Sequence, residues 1–136
     1  MIDKLPLIGI IDDDKIYHFM LTRIIKHNKL AERVIDFYDG EKAIEYLTDN
    51  TATKENIPDI IFVDNNMPIM DGWQFIDAYT RLEPEIKKKV YIFMVSSSID
   101  PIDIERASKI NQISDYIVKP IKLEEVKAII DNLEKF

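Results

Sequence analysis

Ile60-Ile61-Phe62-Val63-Asp64-Asn65-Asn66-Met67-Pro68-Ile69-Met70-Asp71-Gly72 decides the fold. Four apolar, β-rich residues in a row fit a strand buried on both faces, as in a parallel sheet, and the run delivers one carboxylate, Asp64, into a polar turn. The residue before a proline is held extended, so Met67-Pro68 continues the loop, and Asp71-Gly72 reads as a turn or as the opening of a helix. The segment predicts strand, loop, helix. Locally, Asp64 is as consistent with a solvated turn residue as with an active one, and what else reaches the same edge decides between them.

Working outward, residues 5–11 are apolar and β-branched and predict a first strand ending in Asp12-Asp13-Asp14. Asp14 can cap a helix over residues 15–27, where Ile16, Phe19, Met20 and Ile24 recur at spacings of three and four and predict its buried face. Residues 33–37 read as a strand, 38–40 as a turn, and 41–47 as a helix with Ala43, Ile44 and Leu47 on one face; residues 48–56 read as a polar loop. Pro58 opens the third strand, and residues 73–82 make a helix with Phe75, Ile76 and Tyr79 inward, which Pro84 ends or follows with a new turn. A fourth apolar run, 90–95, closes on Ser96-Ser97-Ser98, and Pro101 introduces a helix through Ile110. Residues 114–118 form a fifth strand ending at Lys119-Pro120, and Leu123, Val126, Ile129, Ile130 and Leu133 give the last helix its core face. Leu5, Phe62 and Phe93 read as core, Trp73 as a packing or near-site residue, and His18 and His27 as surface or core-edge histidines of the first helix. Five strands alternating with five helices imply right-handed crossovers, hence a parallel sheet covered on both faces.

The chain has 136 residues and shows no linker, repeat or low-complexity segment, so 1–136 reads as a single domain. With no cysteine there is no disulfide framework and no cysteine-bearing zinc site, which suits a reducing cytoplasm. Residues 1–6 lack the regions of a signal peptide, and no apolar run approaches the roughly 20 residues needed to span a bilayer, so membrane insertion is not expected. A net charge of −7 argues against a nucleic-acid-binding surface and is compatible with cationic partners, a bound cation or simple solubility.

In an open parallel sheet, ligands sit outside the carboxyl ends of the strands. Here strand one ends in Asp12 and Asp13, strand three in Asp64, strand four in Ser96 and strand five in Lys119. Two carboxylates at about 4 Å repel by roughly 4 kcal/mol at an effective dielectric near 20, so such a cluster needs a cation or raised pKa values. Oxygen ligands without His or Cys point to Mg²⁺. The set suits phosphoryl transfer onto a carboxylate. Asp64 would be the nucleophile, Asp12 and Asp13 would hold the metal, Lys119 would neutralise a phosphoryl oxygen, and Ser96 would donate a hydrogen bond to another.

Ile10-Ile11-Asp12-Asp13, Asp64 through Gly72, Val95-Ser96 and Tyr116-Ile117-Val118-Lys119-Pro120 together resemble the receiver domain of two-component response regulators, over almost the whole chain. The resemblance implies an α/β, flavodoxin-like (βα)5 fold with a doubly wound parallel five-stranded sheet in the order 2-1-3-4-5. It further implies that Asp64 accepts a phosphoryl group from a sensor histidine kinase or histidine phosphotransfer protein, and that Asp12, Asp13, Asp64 and the backbone carbonyl of Asn66 surround Mg²⁺. Ser96, Tyr116 and Lys119 would read the phosphorylated state, altering the face made by helix four, strand five and helix five. Because the chain ends after helix five, the expectation is a stand-alone receiver, not an enzyme, whose output is a downstream protein or a phosphorelay. Two departures stand out. The separation of Asp13 from Asp64 is longer than usual for the family, with the extra residues in 48–56, a loop or an extension of helix two, and Ser96 replaces a Thr while keeping the hydroxyl. The alternative is a Mg²⁺-dependent phosphohydrolase with an aspartyl nucleophile; Asn66, where such an enzyme would carry a second Asp, weakens it.

Overall fold

A computed structural model describes residues 5–136, so the reading of residues 1–6 lies partly outside the described residues. The strands are β1 (Leu7–Ile11), β2 (Arg33–Phe37), β3 (Ile60–Asp64), β4 (Tyr91–Ser96) and β5 (Ile113–Val118). The helices are α1 (Lys15–His27), α2 (Gly40–Asp49), α3 (Gly72–Leu82), α4 (Pro101–Ser108) and α5 (Leu123–Asp131). All strand pairs are parallel and run in the order β2-β1-β3-β4-β5, an α/β flavodoxin-like architecture as expected.

The continuous apolar runs lie where both sheet faces are covered: β1 and β3 are buried throughout. Strand side chains alternate between faces, so the runs feed two cores. Ile8, Ile10, Ile60, Phe62, Phe93 and Val95 pack with Leu21 and Ile25 of α1 and with Val126 and Ile129 of α5. Ile11, Ile61, Val63, Ile92 and Met94 pack with Ala43 and Leu47 of α2, Phe75, Ile76 and Tyr79 of α3, and Ala107 of α4. Four helices open on an aspartate cap whose side chain accepts backbone N–H groups: Asp14, Asp39, Asp71 and Asp100. Asp71 and Gln74 complete a reciprocal capping box, which fixes where the loop after Asp64 becomes α3.

Several expectations need correction. The buried face of α1 is His18, Leu21 and Ile25, whereas Ile16, Phe19 and Met20 are exposed, at 72%, 65% and 55%, and Ile24 is half-buried. Two stripes of the helix share helical spacing, and the Asp14 cap directly after β1 sets the rotation that turns the Leu21 stripe onto the sheet. His18 is accordingly a buried residue, 2% exposed. Leu5 is exposed because it precedes β1, which begins at Leu7. Of the loop or helix-two extension expected at 48–56, the structure has a short extension and a turn: α2 runs to Asp49, and Lys54–Asn56 form a 3₁₀ turn. That turn is tied to α2 by Tyr46 Oη donating to the carbonyl of Asn56 and Asn56 Nδ2 donating to Asn50 Oδ1. Helix α4 stops at Ser108, two residues short of Ile110. No helix among the described residues is long and apolar enough to cross a membrane.

Candidate functional site

The central strands deliver Asp12, Asp64, Ser96 and Lys119 to one edge of the sheet. Asp12 and Asp64 lie at the ends of β1 and β3, 1% and 7% exposed, with Asp13 exposed beside them. One carboxylate oxygen from each of Asp12, Asp13 and Asp64 lies within 4.8 Å of the others. Lys119, just past β5, places Nζ 2.7 Å from Asp12 Oδ2 and 3.7 Å from Asp64 Oδ2. The Lys119 backbone N–H donates to the Ser96 carbonyl at 2.7 Å, and the following Lys119-Pro120 peptide is cis.

Asp12 is held on several sides. Its N–H donates to the Phe37 carbonyl at 3.1 Å, and its Oδ1 accepts the Asp14 N–H at 2.9 Å. Its Oδ2, by contrast, is buried with no aligned hydrogen-bond donor, so the Lys119 ammonium holds it by charge. Burial pushes the Asp64 carboxyl up to about 6, reinforced by the negative charges of Asp12 and Asp13; Lys119 and a hydrogen bond from the Asn66 backbone N–H act against that shift. An acidic trio of oxygens, from two buried aspartates and the exposed Asp13, with Asp12 Oδ2 lacking a hydrogen-bond donor, is the donor set a hard divalent cation takes, so these residues fit Mg²⁺.

The loop from Asn65 to Gly72 is set by close backbone approach. Asn65 N–H donates to the Val95 carbonyl at 3.2 Å and Gly72 N–H to the Asn65 carbonyl at 3.2 Å. Met70 N–H closes a three-residue turn on the Pro68 carbonyl at 2.8 Å, with Ile69 at its centre at φ 69°. A positive φ in a β-branched residue is strained and persists where neighbours over-determine it. Gly72 admits nothing larger: a Cβ there would lie 2.6 Å from both Asn65 Cα and the Asp64 carbonyl oxygen.

The sequence-predicted residues therefore divide. Asp12, Asp13, Asp64 and Lys119 are brought together. Ser96, buried at the end of β4, uses its hydroxyl to accept the Ser98 N–H at 3.0 Å. Tyr116, half-buried on β5, donates from Oη to the Ser98 carbonyl at 2.9 Å, so it and Ser96 meet on Ser98. Asn66 is exposed and contributes its N–H to Asp64. Sequence reading missed Tyr17, whose ring centroid lies 4.4 Å from Lys119 Nζ, and His18, which bonds the Asp12 carbonyl. Their signal was weak: they follow the Asp14 cap by one turn, and only the Leu21 and Ile25 spacing marks that side as buried. Trp73 packs under Arg106 of α4, the guanidinium carbon 4.3 Å from the ring centroid.

Comparison with known proteins places this arrangement. The family model described as response regulator receiver domain matches residues 8–131. Among solved structures, a two component response regulator from Cytophaga hutchinsonii is 29% identical with a TM-score of 0.88, the alignment covering 98% of this chain and 99% of that one. A response regulator receiver protein from Dyadobacter fermentans is 26% identical with a TM-score of 0.81 and 95% coverage of both chains. Among curated proteins, Probable methanogenesis regulatory protein FilR2 of Methanothrix harundinacea is 22% identical over 130 residues, 96% of this chain and 82% of its own length. Other curated relatives are longer, and the chain spans between 27% and 52% of their lengths. Since the family match begins within β1 and ends with α5, and so takes in every strand end that carries the acidic cluster and its lysine, this chain belongs to the response regulator receiver domain family.

Proposed function

We propose that Asp64 accepts a phosphoryl group from the phosphohistidine of a sensor histidine kinase or a histidine phosphotransfer protein, in a Mg²⁺-dependent reaction. In it, a carboxylate oxygen of Asp64 forms the new bond to phosphorus as the phosphorus–nitrogen bond of the donor breaks. The observation that carries this reading is the convergence of Asp12, Asp13 and Lys119 on Asp64. Burial and negative neighbours make Asp64 more basic than an ordinary aspartate, yet a group titrating near 6 is still mostly ionised at neutral pH, so it is a better nucleophile without being lost to protonation. Asp12, Asp13, Asp64 and the Asn66 carbonyl would hold Mg²⁺, whose charge neutralises phosphoryl oxygens when it is bound. Lys119 stands within reach of both carboxylates and supplies a compact positive charge to the same oxygens.

In this reading the domain is a cytoplasmic signalling module rather than an enzyme. Ser96 exchanges its bond from the Ser98 N–H for one donated to the phosphoryl group, which loosens the segment that Tyr116 also holds. The consequence falls on the face of α4, β5 and α5, where Ile102, Ile104 and Val118 are exposed apolar residues and a downstream protein would dock. The phosphoryl group could equally be passed on in a relay, with the same acceptor chemistry. The test is incubation of the purified protein with Mg²⁺ and a small phosphodonor such as acetyl phosphate. Acid-labile phosphate should appear in the wild type and be absent in Asp64→Asn and after chelation; equal incorporation in all three would overturn the reading.

A further inference from the structure

His18 lies in the second turn of α1, buried, with both edges of its ring engaged. Nε2 is 2.6 Å from the backbone carbonyl oxygen of Asp12, and Nδ1 is 2.8 Å from Oδ1 of Asp36 on β2. A carbonyl oxygen can only accept, so Nε2 carries a proton and donates it. The Asp36 carboxylate also only accepts, so Nδ1 donates to it and the ring plane is set from the opposite edge, while the Tyr38 ring packs against the imidazole at a centroid distance of 4.5 Å.

The carbonyl that His18 holds belongs to the peptide joining Asp12 to Asp13, so its orientation governs where both carboxylates point. Without the imidazole, that carbonyl would lose its buried donor, and the peptide could rotate to find another. Groups that orient the donors of a metal site in this way commonly change metal affinity by about 10- to 100-fold when removed. We propose that His18, oriented by Asp36, is a positioning residue for the Asp12-Asp13 turn and sets how tightly the acidic cluster holds Mg²⁺. The inference rests on the reading of Asp12, Asp13 and Asp64 as the cation site.

The test is calorimetric titration of MgCl₂ into the full chain, paired with phosphate incorporation from acetyl phosphate at limiting and at saturating Mg²⁺. His18→Leu should raise the Mg²⁺ dissociation constant about tenfold. His18→Gln, whose amide can still donate to the Asp12 carbonyl, should stay within about threefold of wild type. Asp36→Leu should fall between them, and His27→Gln, on the exposed end of α1, should match wild type. Saturating Mg²⁺ should restore the labelling rate of His18→Leu, a split that a merely damaged fold would not show. Wild-type affinity in His18→Leu, or equal weakening in the Gln variant, overturns the proposal. Should His18→Leu fail to fold, unchanged affinity in Asp36→Leu overturns it as well, since Asp36 is partly exposed and its removal leaves the core intact. A wild type that binds Mg²⁺ but takes no phosphate on Asp64 defeats the proposed function, while a graded effect of these variants on Mg²⁺ affinity still supports the role of His18.

Discussion

Lys119 pairs with Asp12, its Nζ 2.7 Å from Oδ2, and stands 3.7 Å from Asp64. The ammonium is further shielded by the Tyr17 ring, and the carboxylate it holds is almost wholly buried. Removing one partner of such a pair leaves an uncompensated charge inside the protein. Lys119→Met should therefore lower stability by about 3 kcal/mol in chelator-treated protein at pH 7.5. It should also make stability depend more steeply on added Mg²⁺, because nothing then competes for Asp12. Urea denaturation with and without Mg²⁺ measures both; an unchanged midpoint would show that the pair contributes nothing.

Asp64 carries the opposite liability. Its folded-state carboxyl titrates near 6 instead of 3.8, so the proton stabilises the fold fully below about pH 4, and that contribution is lost as pH rises through 6. A shift of this size corresponds to about 3 kcal/mol at most. In Mg²⁺-free buffer, Asp64→Asn should be no more stable than wild type at pH 4 and clearly more stable at pH 7.5. Added Mg²⁺ should narrow that gap by stabilising only the wild type. Melting curves across this range give the answer, and a gap that does not change with pH would contradict the assigned cause.

Gly72→Ala probes the turn that follows Asp64. The added Cβ would meet the Asn65 Cα and the Asp64 carbonyl oxygen at 2.6 Å, and neither is a flexible side-chain end that can move aside. A stability loss of about 2 kcal/mol or more is expected from such overpacking. Labelling by a small phosphodonor should slow with it, because one of the two crowded atoms is the backbone carbonyl oxygen of Asp64, the proposed acceptor.

Tyr116→Phe removes the hydroxyl that donates to the Ser98 carbonyl and keeps the ring. The expected cost is about 1 kcal/mol. In amide NMR spectra the changes should centre on Ser98 and its neighbours Asp100 and Asp103, which its hydroxyl also joins, and leave β1 unmoved. Shifts absent from Ser98 would mean that the bond does not form in solution.

The sheet was legible because β1, β3 and β4 are continuous apolar runs, and a parallel arrangement sends their last residues to one edge; Asp12, Asp64 and Ser96 follow from that alone, and Lys119 from the half-polar β5 that ends beside them. The rotation of α1 was not legible. Ile16, Phe19 and Met20 form a more apolar stripe than His18, Leu21 and Ile25, and only the junction between β1 and the Asp14 cap determines which one meets the sheet. His18 was hidden by the same effect, since its partners are a backbone carbonyl and an aspartate on another strand. The order in 48–56 comes from Tyr46, Asn50 and Asn56, whose bonds close only once α2 and the following turn are in place. Ser98 as the shared partner of Ser96 and Tyr116 likewise depends on how β4 and β5 lie side by side.

The central claim is that Asp64 is the acceptor, and trapping tests it most directly. After incubation with Mg²⁺ and acetyl phosphate, borohydride reduction converts an aspartyl phosphate to homoserine, and peptide mass mapping locates the change. The account predicts conversion at Asp64, dependent on Mg²⁺ and confined to that residue. Conversion at Asp12 or Asp13, or phosphate retained on a serine with Asp64 intact, would contradict it.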